Sequence, residues 1–133
     1  MSGLLDTSMV VRYLIGYPLD MAEQAARVID GEADLQVTDG VIMETAYVLR
    51  SVYGVARETV EDYLIDFLQK ENIGAFGLDK GQVIQALLIC RPSGRVSFAD
   101  ALLWAAAQST REKIVYSLDE RFPTDGIEVR KGR

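Results

Sequence analysis

Short apolar runs alternate with helix-patterned stretches through most of this 133-residue chain. Strands kept apart by helices cannot close as hairpins; they need crossover connections, which lay them parallel with helices on both faces. The expectation is a single α/β domain over residues 1–133, a three-layer α/β/α arrangement with a mainly parallel central sheet. Strands are expected at Gly3-Leu4-Leu5, Leu35 to Thr38, Ala75 to Leu78, Ile114 to Ser117 and Ile127 to Val129. Helices are expected from about Ser8 to before Tyr17-Pro18, then over Leu19–Ile29, Gly40–Val52, Arg57–Lys70, Gln82–Cys90 and Ser97–Ser109. Proline 18 pushes its predecessor out of helix, Gly31 closes the second helix, and Arg91-Pro92-Ser93-Gly94 breaks the fifth.

Four acids interrupt this apolar pattern. Asp6 ends the run Leu4-Leu5, and Glu44 has Val41, Tyr47 and Val48 three and four positions away on its helix. Asp100 is embedded in Phe98-Ala99-Asp100-Ala101-Leu102-Leu103-Trp104, and Asp119 follows Ile114-Val115-Tyr116-Ser117. An unpartnered buried carboxylate is costly. In open parallel sheets the ligand site lies beyond the carboxyl ends of the strands. Asp6 and Asp119 project from one such edge if their strands are neighbours, and Glu44 and Asp100 start helices there. Taken singly each has a plainer reading. Asp6 can cap the next helix, Glu44 can snorkel from the helix border, Ser97 to Asp100 resembles a capping box, and Asp119 suits a loop. Asp20, Asp34, Glu61, Asp66 and Glu112 fall on faces that read as solvated, and Asp39 as a helix start. Tyr13, Tyr47, Tyr53 and Trp104 read as packing residues.

The chain has no histidine and a single cysteine, Cys90. That excludes imidazole general bases, Ser-His-Asp and Cys-His systems, and structural zinc. What remains is carboxylate and hydroxyl chemistry with oxygen-preferring metals. Two carboxylates about 4 Å apart repel by roughly 4 kcal/mol at an effective dielectric near 20, and a hard cation relieves that. An oxygen-only donor set favours Mg²⁺ or Mn²⁺ over zinc.

The net charge of −6, from 14 basic and 20 acidic residues, argues mildly against nucleic acid. Setting four metal-site acids aside brings the two signs nearly level. Arg91 and Arg95, with Arg130, Lys131 and Arg133, are candidates for a local basic patch. The longest apolar run, Ala101 to Ala107, is far short of a membrane span, and no signal peptide is legible. A cytoplasmic protein with no membrane partner is expected.

The ordered set Leu5-Asp6-Thr7-Ser8, Met43 to Arg50 leading to Tyr53-Gly54, Ser97 to Leu102, and Tyr116 to Phe122 resembles the PIN domain. It resembles in particular the small VapC-type toxin ribonucleases of type II toxin–antitoxin systems. The resemblance implies an acidic pocket of Asp6, Glu44, Asp100 and Asp119 holding one or two Mg²⁺ or Mn²⁺ ions. It also implies that Ser8 and Ser117 orient the carboxylates or waters. Ser97 stands where many relatives carry another Asp, and Ser117 where Thr is commoner. The implied activity is endoribonuclease cleavage of an RNA substrate leaving 5′-phosphate and 3′-hydroxyl ends. The implied partners are a small antitoxin over the acidic groove and a second copy in a homodimer, with Met9, Val10, Tyr13 and Leu14 as candidate contacts. The alternatives are an RNA-processing nuclease outside such a pair, or a module that binds RNA or protein without cutting.

Overall fold

Asp6, Thr38, Asp79 and Ser97 each put a side-chain oxygen on a backbone N–H of the helix they precede, so four helix starts are set by local capping. The computed structural model describes residues 2–91 and 96–132. Within these the order is β1 (Ser2–Leu4), α1 (Thr7–Ile15), α2 (Leu19–Ile29), β2 (Asp34–Thr38), α3 (Asp39–Ser51) and α4 (Arg57–Leu68). It continues with β3 (Ile73–Phe76), α5 (Lys80–Ile89), α6 (Phe98–Gln108), β4 (Ile114–Tyr116) and β5 (Glu128–Arg130). Every strand pairing is parallel, as the crossovers require. The α/β class and layered build expected from the alternation are present. Pro92 to Gly94 of the expected break, and Arg95 and Arg133 of the expected basic patch, lie outside the described residues.

The strands fall into two groups. One sheet runs β1-β2-β3, with Gly3 opposite Leu35 and Leu35 opposite Ile73; β4 and β5 pair separately. The neighbouring of β1 and β4 on which the convergence of Asp6 and Asp119 depends is therefore not made by hydrogen bonding among the described residues. Strand β3 also begins earlier than expected. Ile73 is core, and Gly77 turns the chain out at φ 102°, a left-handed value suited to glycine.

The core is apolar side chains from both layers: Val10 and Val11 of α1, Ala46 and Leu49 of α3, Leu64 and Leu68 of α4, and Trp104 and Ala105 of α6 around Leu35 and Val37. Helix α1 packs on α2 and α3, and α3 also meets α4 and α6. Val10 is only 1% exposed, so core packing and not a dimer contact accounts for it; Met9, Tyr13 and Leu14 lie partly against the same core. Cys90 is buried, and burial pushes its thiol up to about 11. No helix among the described residues is long and apolar enough to cross a membrane.

Glu61 overturns its expected place on a solvated face: it is 0% exposed. Arg57, one turn earlier, reaches its Oε2 at 3.3 Å, while Oε1 is buried without a hydrogen-bond partner among the described residues. The same guanidinium donates to the carbonyls of Cys90 and Val96 and lies 5.1 Å over the Phe98 ring. One arginine thus ties α4 to the end of α5 and the start of α6.

Candidate active site

Asp6 sits between β1 and α1 with extended backbone (φ −84°, ψ 157°) and caps the helix. Its Oδ2 accepts from Ser8 Oγ at 2.8 Å and Ser8 N at 3.3 Å. The Ser8 hydroxyl bond, then the backbone bond, hold this carboxyl below its usual range, so Asp6 is charged at neutral pH. The capping reading of Asp6 and its placement at a strand edge are both realised.

Glu44 stands one turn into α3. Its Oε1 accepts from Thr7 Oγ1 at 2.5 Å, and Thr7 is only 9% exposed. Because Thr7 follows Asp6 directly, this bond brings the two acids to the walls of one open cavity of about 450 Å³, which Ser8, Arg12 and Tyr53 also line. Arg12 supplies a positive charge there, with Nη1 donating to the Tyr53 hydroxyl at 2.5 Å and to the Tyr17 carbonyl at 3.2 Å. Thr7, Arg12 and Tyr53 were not singled out from the sequence as site residues. Ser8 and Arg12 lie four apart on α1, a spacing that puts both on one face, and that was the available signal.

Asp100 occupies the first turn of α6, where Ser97 Oγ accepts its N–H at 3.0 Å. Phe98 and Ala99, just before it, line a second and larger groove together with Glu44. Asp119 lies in a tight turn after β4: Ser117 Oγ accepts its N–H at 3.0 Å, and its Oδ1 accepts from Arg121 N at 2.8 Å. That backbone bond, aided by the Arg121 charge, lowers the Asp119 pKa. Neither Asp100 nor Asp119 borders either of these two cavities.

Among the described residues no three His, Cys, Asp or Glu side chains are gathered closely enough to hold a metal ion. The pair Asp6 and Glu44 does share one cavity and presents carboxylate oxygen only. That fits Mg²⁺, which is commonly held by one or two carboxylates and completed by waters and substrate phosphate.

Of the basic residues expected to make a patch, the three that are described are engaged. Arg91 pairs with Asp62, Arg130 with Glu128 at 2.8 Å and Lys131 with Glu120 at 2.8 Å. Asp39, read as a helix start, does lie in the first turn of α3, but its Oδ1 is buried without a partner among the described residues and desolvation raises its pKa.

The family model for the PIN domain matches residues 3–124. The chain belongs to the PIN domain family. PIN domains are generally nucleases that use divalent metals, so membership implies hydrolytic action on nucleic acid. No curated protein and no solved structure matches the chain. In this PIN domain the match spans every segment that carries one of the four acids.

Proposed function

We propose that this PIN domain is a Mg²⁺- or Mn²⁺-dependent endoribonuclease that acts as the toxin of a toxin–antitoxin pair. The observation that carries the reading is the cavity shared by Asp6 and Glu44, each held by a neighbouring hydroxyl. Asp6 and Glu44 would hold the cation, with Asp100 and Asp119 as the further acids of the site. A bound divalent ion supplies charge neutralisation at a phosphodiester and a more acidic water. The chain's own part is positional. Ser8 fixes the Asp6 carboxylate, Thr7 fixes Glu44, and Arg12 sets a guanidinium on the same wall, where it can meet a phosphate oxygen. With no histidine in the chain, attack by water rather than by the ribose 2′-hydroxyl is the supported route, leaving 5′-phosphate and 3′-hydroxyl ends.

The toxin role rests on the ordered segments around the four acids, which resemble those of VapC-type ribonucleases. A small antitoxin would then cover the acidic cavity with a basic side chain. The homodimer rests on the same resemblance, and with Val10 buried its contacts would draw on other residues.

The test incubates partner-free protein with labelled structured and single-stranded RNAs in Mg²⁺, Mn²⁺ or EDTA, beside Asp6→Asn and Asp100→Asn. Metal-dependent cleavage with 5′-phosphate ends, lost in both variants, is expected; cleavage that persists in Asp6→Asn rules the site out. Growth arrest on induction, relieved by Asp6→Asn, is expected of a toxin. The position of Asp100 and Asp119 outside both cavities favours one alternative, a PIN module that binds RNA without cutting. RNA binding with no cleavage under either metal would establish that alternative.

A further inference from the structure

We propose that the groove between α3 and the start of α6 is a subsite for one unpaired nucleotide of an RNA strand, its base laid against Tyr47 and its phosphate against Arg50. The proposal rests on the nuclease reading above for its substrate class, and it names the form of RNA that the site accepts.

The groove has a volume of about 680 Å³ and is walled by Met43, Glu44, Tyr47 and Arg50 of α3 and by Phe98 of α6. A cavity of that size suits a nucleotide-sized ligand. Tyr47 is 70% exposed, so core packing does not account for it. Tyr47 and Arg50 are three residues apart on α3 and therefore share a face. Phe98 opposite is backed by the Arg57 guanidinium at 5.1 Å, which holds the ring in place. An exposed tyrosine before a braced phenylalanine is a surface on which a base of any identity can stack.

Charge and continuity select the occupant. Arg57, Arg91, Arg121 and Arg130 each pair with a carboxylate, whereas Arg50 makes no ion pair among the described residues. In a chain of net charge −6, an unengaged guanidinium on a groove wall is a local point of attachment for a phosphate. Glu44 lines both this groove and the cavity of Asp6. A strand with one nucleotide in the groove therefore runs on toward the two acids. An apolar protein segment laid in the same groove would desolvate Glu44 and Arg50 without returning a partner to either. A paired base has its faces covered by its neighbours and cannot stack here.

The test measures fluorescence anisotropy of a short labelled oligoadenylate, alone or annealed to its complement, in EDTA at low salt. Wild type is expected to prefer the single strand. Tyr47→Ala, at an exposed position that leaves the fold intact by circular dichroism, should bind about tenfold more weakly, and Tyr47→Phe should bind like wild type. Arg50→Ala should weaken binding and flatten the salt dependence by about one phosphate contact. No binding by wild type, equal binding of duplex, or unchanged binding by Tyr47→Ala overturns the subsite. So does a Tyr47→Ala variant that loses self-association or a protein partner while binding oligoadenylate normally. Binding is read without metal, so the two readings fail separately. Wild type that binds but never cuts in Mg²⁺ or Mn²⁺ removes the nuclease and leaves the subsite. Cleavage by Tyr47→Ala with unchanged KM removes the subsite and leaves the nuclease.

Discussion

Thr7 Oγ1 donates to Glu44 Oε1 at 2.5 Å, joining the first turn of α1 to the acid of α3 across 37 positions of sequence. Thr7 is buried, and its immediate neighbour Asp6 is held by Ser8. A single short bond therefore sets the spacing of the two carboxylates that share a cavity. Glu44 is exposed, so without this donor its flexible side chain would be free to turn to solvent.

Replacing Thr7 with valine keeps the buried volume and removes only the donor. A hydrogen bond to a charged group contributes about 1.5–3 kcal/mol. Since the Glu44 carboxylate can find water instead, the stability loss should stay near 1 kcal/mol by urea unfolding. Ribonuclease activity should fall about tenfold or more, because the acid pair is no longer set. Thr7→Ser restores the hydroxyl and should recover most of the activity. Equal activity in Thr7→Val and wild type would show that Glu44 needs no such restraint.

Divalent ions should stabilise the folded chain through Asp6 and Glu44. A ligand at about ten times its Kd adds roughly 1.4 kcal/mol, which for a chain of this size is about 5 °C in Tm. Mg²⁺ should give a shift of this order in wild type, none in Asp6→Asn or Glu44→Gln, and a retained shift in Asp119→Asn. A shift abolished by Asp119→Asn and kept by Glu44→Gln would move the cation to a different set of acids.

Helix starts were legible because capping is local: Asp6, Ser97 and the Thr38-Asp39 pair announce themselves within three residues. Glu61 was misread for the opposite reason. It lies in register with Leu64, Ile65 and Leu68, the spacing of a buried stripe, but an acid at that position reads as part of a solvated face. Its partner Arg57 is in turn held by the carbonyls of Cys90 and Val96, more than thirty positions away, which no local window contains. The strands are three to five residues long, too short to specify which neighbours pair, so the separation of β4-β5 from β1-β2-β3 was not readable. Tyr47 fits a core pattern on α3, and only the structure leaves its ring outside.

Arg57 holds the start of α6 from beneath, through the Val96 carbonyl, the Cys90 carbonyl and the face of Phe98. Arg57→Ala leaves the buried Glu61 uncompensated and should cost about 3 kcal/mol, toward the lower end for a broken buried pair. The double replacement Arg57→Met with Glu61→Leu removes both charges and should return most of that stability. It cannot replace the bonds to Val96 and Cys90, so backbone hydrogen exchange over residues 97–101 should remain faster than in wild type. Slow exchange in the stable double variant would show that packing alone positions this end of α6.

Glu61 should also leave a signature in the pH dependence of stability. Burial raises its pKa against the opposing pull of Arg57, so the folded chain holds this proton more tightly than the unfolded chain, whose value is about 4.3. The stability contributed by the protonated form is complete below that unfolded value and is lost as pH rises through the folded one. Asp39 is shifted in the same direction, while Asp6, Asp30, Asp119 and Glu128 are lowered and lose stability as pH falls. All five remain in Glu61→Gln, so the difference between the two proteins isolates Glu61. By urea unfolding, the variant should gain on wild type as pH rises from about 4.3 and level off once the folded Glu61 is ionised. Parallel curves over that range would mean that Arg57 already compensates the buried carboxylate in full.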